Sequence, residues 1–303
     1  MLTANDYYRS RFGGKVYRIS LNGGMTCPNR DGTIDTRGCI FCSRGGSGDF
    51  AASASLSVTE QLAVAKQKVS AKLPKTGFAG YLAYFQAFTN TYAPVSYLKT
   101  IFEEALADPE VVGLSVATRP DCLAQDCISL LAKLNQQKPV YVELGLQTIH
   151  ESSAAFIRRG YPLSVYDDAV QRLRNAGIPV ITHVILGLPK ETKEDMVATV
   201  RHVINGRIHG IKLQLLHILT DTDLADYYKT APQEEFACMS IESYTEILES
   251  VLALIPEDII IYRLTGDGPK RTLLAPLWSG DKKLVLNTIR QSLERSSLCN
   301  PKC

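Results

Sequence analysis

Apolar and polar positions along the chain follow two alternating rhythms. VYRISL (16–21), GYLAYFQAF (80–88), VVGLSVAT (111–118), PVYVELGLQ (139–147), PVITHVILGLP (179–189) and GIKLQLLHIL (210–219) are short, apolar or alternating, and read as strands. The stretches between them, at 57–73, 96–108, 121–136, 164–177 and 192–205, have helical spacing. Helix starts are marked by Ser57 with Glu60, by Ser164 with Asp167, and by Thr192; Gly177 marks a stop. Strand–helix alternation of this kind predicts a parallel sheet covered by helices. Six strands allow an open doubly wound sheet or a partly closed barrel. Beyond residue 239 the pattern continues as a helix, a strand DIIIYRLT (258–265), a Gly/Pro-rich stretch (265–281) and a final helix (282–296). No linker separates this part, so residues 240–303 are predicted to form an extension packed on a body of residues 1–239.

The chain has 303 residues, 45% of them hydrophobic, an ordinary value for a globular protein. No apolar run is long enough to span a bilayer, and the polar N-terminus MLTANDYYRSRFGGK lacks the apolar core of a signal peptide. A cytoplasmic protein without a membrane partner is expected. The net charge of +2 says little, but its distribution is uneven. No acidic residue occurs between Glu60 and Glu103, and Lys66, Lys68, Lys72 and Lys75 fall in that interval. They form either a solvated helix face or a surface that meets phosphates.

Eight cysteines are present, without the spread of a disulfide framework. Cys122, Cys127 and Cys238 read as ordinary thiols. Cys299 and Cys303 end the chain, where fraying disfavours a metal site or a stable bridge. Cys27, Cys39 and Cys42 differ. They share one loop of turn-forming residues, CPNRDGTIDTRGCIFCS, just past the first predicted strand. In parallel α/β folds this strand end is where active sites gather. Structural zinc requires four ligands, and none of the five histidines is near in sequence. An iron–sulfur cubane held by three thiols keeps one iron open to a ligand from outside the protein.

The last two thiols, as Cys39-Ile40-Phe41-Cys42, make the loop resemble the radical S-adenosylmethionine (SAM) superfamily. The usual first gap there is three residues, and here it is eleven. GGMTCPNRDGT…GCIFCS is similar to a branch near the radical-SAM subunit of elongator, which carries this long gap. TRPDCL (118–123), VELGLQT (142–148), HVILGLPKET (183–192), KLQLLHIL (212–219) and RLTGDGPKRTLLAPLW (263–278) extend the resemblance over nearly the whole chain.

The resemblance implies a partial (β/α)6 TIM-like barrel with a C-terminal α/β extension. It implies a four-iron four-sulfur cluster on Cys27, Cys39 and Cys42, with SAM chelating the open iron. Reductive cleavage of SAM would give a 5′-deoxyadenosyl radical that abstracts hydrogen from a substrate. Phe41 is then expected beside the adenine, and Asn90, in Thr89-Asn90-Thr91, near the SAM amine. Gln147 is expected at the ribose, Arg159 (or Arg158) at the SAM carboxylate, and His183 at a ribose-binding position. Arg119 and Asp121 follow the third strand, where Ala117 replaces an acid found in relatives. Lys212, Gln214 and His217 could reach a substrate. The branch implies tRNA as partner, with conversion of a carboxymethylaminomethyl group toward aminomethyl on the wobble uridine. Lys66, Lys68, Lys72 and Lys75 would then contact the RNA, and an electron donor such as flavodoxin or ferredoxin would reduce the cluster. The alternatives are a radical SAM enzyme acting on a small metabolite and a non-catalytic iron–sulfur or zinc protein.

Overall fold

A computed structural model describes residues 1–296 except 47, 49, 50, 233, 234, 267 and 269. Cys299 and Cys303 therefore lie outside the described residues. The chain opens with β1 (Leu2–Thr3), α1 (Ala4–Phe12) and β2 (Lys15–Leu21), followed by α2 (Val58–Ser70), β3 (Phe78–Phe85), α3 (Val95–Ala107) and β4 (Val111–Thr118). Then come α4 (Gln125–Asn135), β5 (Val140–Gln147), the short α5 (Glu151–Phe156), α6 (Leu163–Asn175), β6 (Val180–Leu186), α7 (Lys193–Asn205) and β7 (Gly210–Leu215). The rest comprises β8 (Ile218–Leu219), α8 (Asp223–Thr230), α9 (Ile241–Leu252), β9 (Ile260–Arg263), β10 (Leu273–Ala275) and α10 (Lys282–Arg295).

All six predicted strands are present as β2 to β7. They form one parallel sheet in the order β1-β9-β7-β6-β5-β4-β3-β2. The sheet curls into a half-barrel ringed by helices, as the partial-barrel reading requires. The predicted strand at 258–265 appears as β9 and pairs in parallel with β7, so this part of the C-terminal segment belongs to the main sheet. β1 pairs with β9 on its other side. A small antiparallel pair, β8 with β10, sits apart.

The helices form where their apolar faces meet the sheet. Ser57 and Glu60 make a reciprocal capping box on α2, and Thr192 and Asp195 make one on α7. Ser164 does not cap α6. The helix starts two residues earlier, after Pro162, and the Leu163 N–H donates to the Glu151 carboxylate at 2.8 Å. A carboxylate from α5 thus supplies the cap that the sequence assigned to a local serine. Asp167 instead pairs with His202 at 2.7 Å.

The main core lies between the sheet and its helices. It is built from residues such as Leu114, Val142, Leu144, Leu186 and Leu213, all fully buried. A second apolar group closes the lower end of the barrel interior. Tyr8 of α1 packs there with Leu82, Tyr141 and Ile181, beside Tyr7 and Tyr262. Above this floor, the inward side chains become polar.

Candidate active site

The thiol loop leaves β2 at the upper rim and is held from several sides. The Cys42 N–H donates to the Cys39 carbonyl at 3.0 Å, closing the turn that carries both. The guanidinium of Arg30 donates to the carbonyls of Cys42 and Ser43 at 3.0 and 2.7 Å. Asn29 Nδ2 donates to the Arg158 carbonyl at 2.6 Å, tying the loop to the end of α5. Ile40 donates its N–H to the Ile157 carbonyl and accepts from Leu224. Gly46 has φ +58°, and a Cβ there would enter the Phe88 ring. These contacts make a long loop into a fixed platform, as a site on irregular backbone requires.

Cys27, Cys39 and Cys42 are unbridged and line one cavity of about 180 Å³. Phe41, Thr89, Arg119, Gln147, Arg159, Tyr161 and His183 share its wall. Burial, with Cys42 next in weight, pushes the Cys39 thiol up to about 12. Binding an iron cluster there would displace its proton, since thiolate is the ligand form. Among the described residues no group of three or more His, Cys, Asp or Glu is gathered tightly enough to hold a metal ion. The three thiols line one cavity wall, and three thiolates with one iron left open are the donor set of a cubane cluster rather than of a closed four-ligand zinc site.

The polar atoms around the thiols also fit a bound nucleoside–amino acid. Gln147 ends β5 at a bulge with φ +72°, and its buried Oε1 has no hydrogen-bond partner. A Cβ on Gly145 would press on the Gln147 amide, so the missing side chain leaves that amide room. Asn90 lies fully buried behind the wall, where its Nδ2 donates to the Ala117 carbonyl at 2.9 Å and its Oδ1 is left unpaired. Thr89 lines the cavity beside it. Unpaired buried oxygens are costly, and a ligand donating to them removes the cost.

Arg159 is buried and its guanidinium is already engaged. It donates to the carbonyls of Tyr161 at 2.9 Å and Thr148 at 2.6 Å, and pairs with Glu151 at 3.2 Å. Its guanidinium lies over the Tyr161 ring, with that of Arg119 over the same ring. Arg119 is held by Asp121 at 2.7 Å. Arg158 pairs with Asp223 at 2.6 Å and does not line the thiol cavity. Of the three arginines, Arg159 and Arg119 line the thiol cavity.

Below the rim, inward residues of six strands converge. Glu143 of β5 is fully buried. Its Oε1 accepts from Ser115 at 2.7 Å and lies 3.8 Å from Arg18; its Oε2 accepts from His183 Nε2 at 2.7 Å and from Lys212 Nζ. Lys212 also reaches the Tyr84 hydroxyl at 3.3 Å. Burial alone would raise the Glu143 pKa, but Lys212, Arg18 and His183 outweigh it and hold the carboxyl well below the usual range. Burial, followed by Lys212, pushes His183 down to about 4. At neutral pH the imidazole is therefore uncharged. Its Nε2–H is directed at Glu143, which leaves Nδ1 as an acceptor.

A second cavity, about 590 Å³, adjoins the first and opens on the side of the half-barrel. Phe41, Tyr84, Gln147, His183, Gln214 and Arg263 line both. Arg18, Lys72 and His217 line only the second. Lys72 follows α2, with Lys68 and Lys75 exposed nearby in sequence. Lys66 is different, being bound to Asp108 at 2.7 Å and Glu110 at 2.8 Å. The acid-free interval ends in space at those two carboxylates. Sequence reasoning missed Arg18, Tyr84, Ser115 and Arg263. Their only signal was a polar residue at an inward position of an apolar strand.

Comparison with known proteins agrees with this architecture. Residues 34–203 match the Radical SAM superfamily, and residues 208–295 match the Radical_SAM C-terminal domain. Uncharacterized protein YtqA of Bacillus subtilis (strain 168) is 43% identical over 292 residues, spanning 96% of this chain and 89% of that protein. Elongator complex protein 3 of Schizosaccharomyces pombe is 25% identical over 189 residues, spanning 61% of this chain and 34% of that protein. In fold, the chain resembles the archaeal Methanocaldococcus infernus Elp3 with an N-terminal deletion. The TM-score is 0.71 at 16% identity, covering 94% of this chain and 64% of that one.

Proposed function

The chain belongs to the radical SAM superfamily, and from that premise we propose that it modifies the wobble uridine of tRNA, taking a carboxymethylaminomethyl side chain to aminomethyl. As a member it is a radical SAM enzyme that uses a four-iron four-sulfur cluster and SAM. When bound, these supply one-electron cleavage of SAM and the hydrogen-abstracting power that follows. The chain's own residues hold, orient and seal.

In this reading Cys27, Cys39 and Cys42 hold the cluster, and Arg30 and Asn29 fix the loop that carries them. Phe41 forms the wall between the two cavities, against which a planar base can lie. Gln147 Oε1 accepts from a ribose hydroxyl, and Asn90 Oδ1 helps to receive the SAM amine. Arg159 and Arg119 set a positive field for the SAM carboxylate, and Arg159 also fixes the shape of the rim. His183 Nδ1 accepts a hydrogen bond from whatever ligand crosses between the cavities. An external donor of the flavodoxin or ferredoxin kind reduces the cluster.

The observation that carries the tRNA reading is the second cavity. It opens sideways next to the thiols, is lined by Arg18, Arg263 and Lys72, and has room for a nucleotide. A side opening admits one flipped base of a large substrate, which a deep closed pocket would not. The long-gap thiol loop and the similarity to Elongator complex protein 3 point the same way. The deciding experiment supplies the reconstituted, reduced enzyme with SAM and tRNA bearing carboxymethylaminomethyluridine, then profiles the nucleosides. Aminomethyluridine should accumulate together with 5′-deoxyadenosine. An unchanged nucleoside profile, with SAM still cleaved, would turn attention to a small-metabolite substrate.

A further inference from the structure

Among the described residues, cationic groups outnumber carboxylates along the two cavities of the barrel interior. Glu143 is the sole carboxylate among the described residues lining the two cavities. Its two oxygens are already taken by Ser115, His183, Lys212 and Arg18. Arg263, at the end of β9, also faces this space. The only side-chain hydrogen bond it makes among the described residues is from one terminal nitrogen to Gln214 Oε1, at 3.1 Å. A guanidinium carries five N–H donors, so most of Arg263's remain unused.

The charge count does not depend on Lys212. If its ammonium is set aside altogether, two guanidiniums, Arg18 and Arg263, face one carboxylate. Arg18 lies over the Tyr84 ring, its guanidinium carbon 4.8 Å from the centroid, a contact that helps to hold the side chain in place. Arginine is the side chain suited to planar two-point recognition of a carboxylate. Arg263 is half-buried and has no anionic partner among the described residues, an arrangement that is costly until an anion arrives.

We propose that Arg263, supported by Arg18 across the open side of the barrel, clamps the carboxylate of the substrate's carboxymethylamino group, so that the second cavity selects substrates carrying a short anionic side chain on the base. This rests on the wobble-uridine reading. It adds the group that tells substrate from product. The bond between the side-chain nitrogen and the carboxymethyl carbon would break. That carbon gives up the two electrons that SAM cleavage takes up, and leaves with oxygen from water as glyoxylate. The product keeps a free amine, which two guanidiniums repel. The clamp thus favours binding of the unreacted side chain and release of the reacted one. The carboxylate of SAM is a second anion these donors can meet, and the test separates the two sources.

The experiment uses the reconstituted protein with SAM and two synthetic anticodon stem-loops. They differ only in the wobble side chain, carboxymethylaminomethyl in one and aminomethyl in the other. The parent should bind the first roughly ten- to hundred-fold more tightly, the scale of hydrogen bonds to a charged group. Arg263→Gln should reduce that preference to about three-fold or less. Arg263→Lys should fall between, since the charge stays and the fork is lost. If Arg263→Gln fails to fold, as judged by melting and iron content, the lysine variant carries the test alone. A parental preference in both variants would overturn the clamp while leaving the wobble-uridine reading intact. So would a loss confined to SAM affinity, which would assign Arg263 to the cofactor. A parent protein indifferent to the side chain would overturn the wobble-uridine reading, and the clamp with it.

Discussion

Consecutive residues of β5 meet opposite environments. Leu144 and Leu146 face the helices and sit in the apolar core, while Glu143, Gly145 and Gln147 face the barrel interior. Glu143 and Leu144 are both completely buried, yet different physics makes each burial tolerable. Leu144 gains by leaving water, in proportion to its area and with little regard to direction. Glu143 gains nothing from leaving water. It is stable only because four partners meet it at fixed geometry. The outer face therefore tolerates repacking, and the inner face tolerates little.

The comparison breaks most completely at the rim, where the inner face depends on three atoms. Cys39→Ala should abolish iron retention after anaerobic reconstitution, whereas Cys122→Ala, whose thiol lies outside the trio, should keep the parental content. Equal losses in the two would dissolve the distinction between cluster thiols and ordinary ones.

Next in size is the neighbouring pair on β5. Glu143→Ala leaves Lys212 buried without its carboxylate and should cost about 3–5 kcal/mol. Leu144→Ala should cost about 2–5 kcal/mol through an empty volume. Denaturant melts will not separate them well, but turnover will. At a temperature where both variants are folded, the leucine variant should keep most of its activity and the glutamate variant should lose it. Pairing Glu143→Leu with Lys212→Met should restore part of the stability, since an apolar replacement of a buried ion pair is often neutral, and none of the turnover. A double variant that works would demote the network to packing.

A smaller effect sharpens the comparison within the interior. Burial pushes both His183 and His209 down to about 4. His209 sits at the lower end among Tyr7, Tyr141 and Tyr262, with Arg11 adding to the shift. Between about pH 4 and 6.5 the unfolded chain takes up protons that the folded chain excludes. Stability should therefore be full above that window and fall as pH drops through it. Glu143 titrates well below its ordinary range and contributes to the loss only at lower pH. His209→Phe should flatten the slope by up to about 1.4 kcal/mol per pH unit, one proton's worth. An unaltered slope would mean that His209 is protonated in the folded protein.

The least effect concerns the outer layer. Replacing Lys68, Lys72 and Lys75 by Ala should flatten the log–log salt dependence of tRNA binding by about two units. Lys66→Ala should leave it nearly as it was, because Asp108 and Glu110 already match that charge. A Lys66 effect as large as any of the others would mean that the ion pair opens on binding.

The strands were legible because their apolar runs are local, and so were the thiols, which share one short loop. The cap on α6 was not, because Glu151 is twelve residues from Leu163 and belongs to another helix. Helix α1 was missed because its buried side is presented by a tyrosine, Tyr8, in an otherwise polar segment. Glu143, His183 and Lys212 could be singled out as polar residues on apolar strands, but not assigned to one another. Their meeting depends on the register of β5, β6 and β7, which pairs Gly145 with His183 and His183 with Lys212. Arg263 was the hardest to find, since it closes a strand that the sequence assigned to an appendage.

The unclosed side of the barrel also bears on edge-to-edge pairing between copies of the chain. A sheet that stops short of closure ends in two strands with unpaired backbone, and such edges template pairing with another chain. Here one edge is β1, only two residues long. The other, β2, has seven residues and carries Lys15 and Arg18 along its length. Edge-to-edge pairing of two copies would bring these charges together at the seam, which like-charge repulsion opposes. The charge beside this opening also guards it against becoming a site of aggregation.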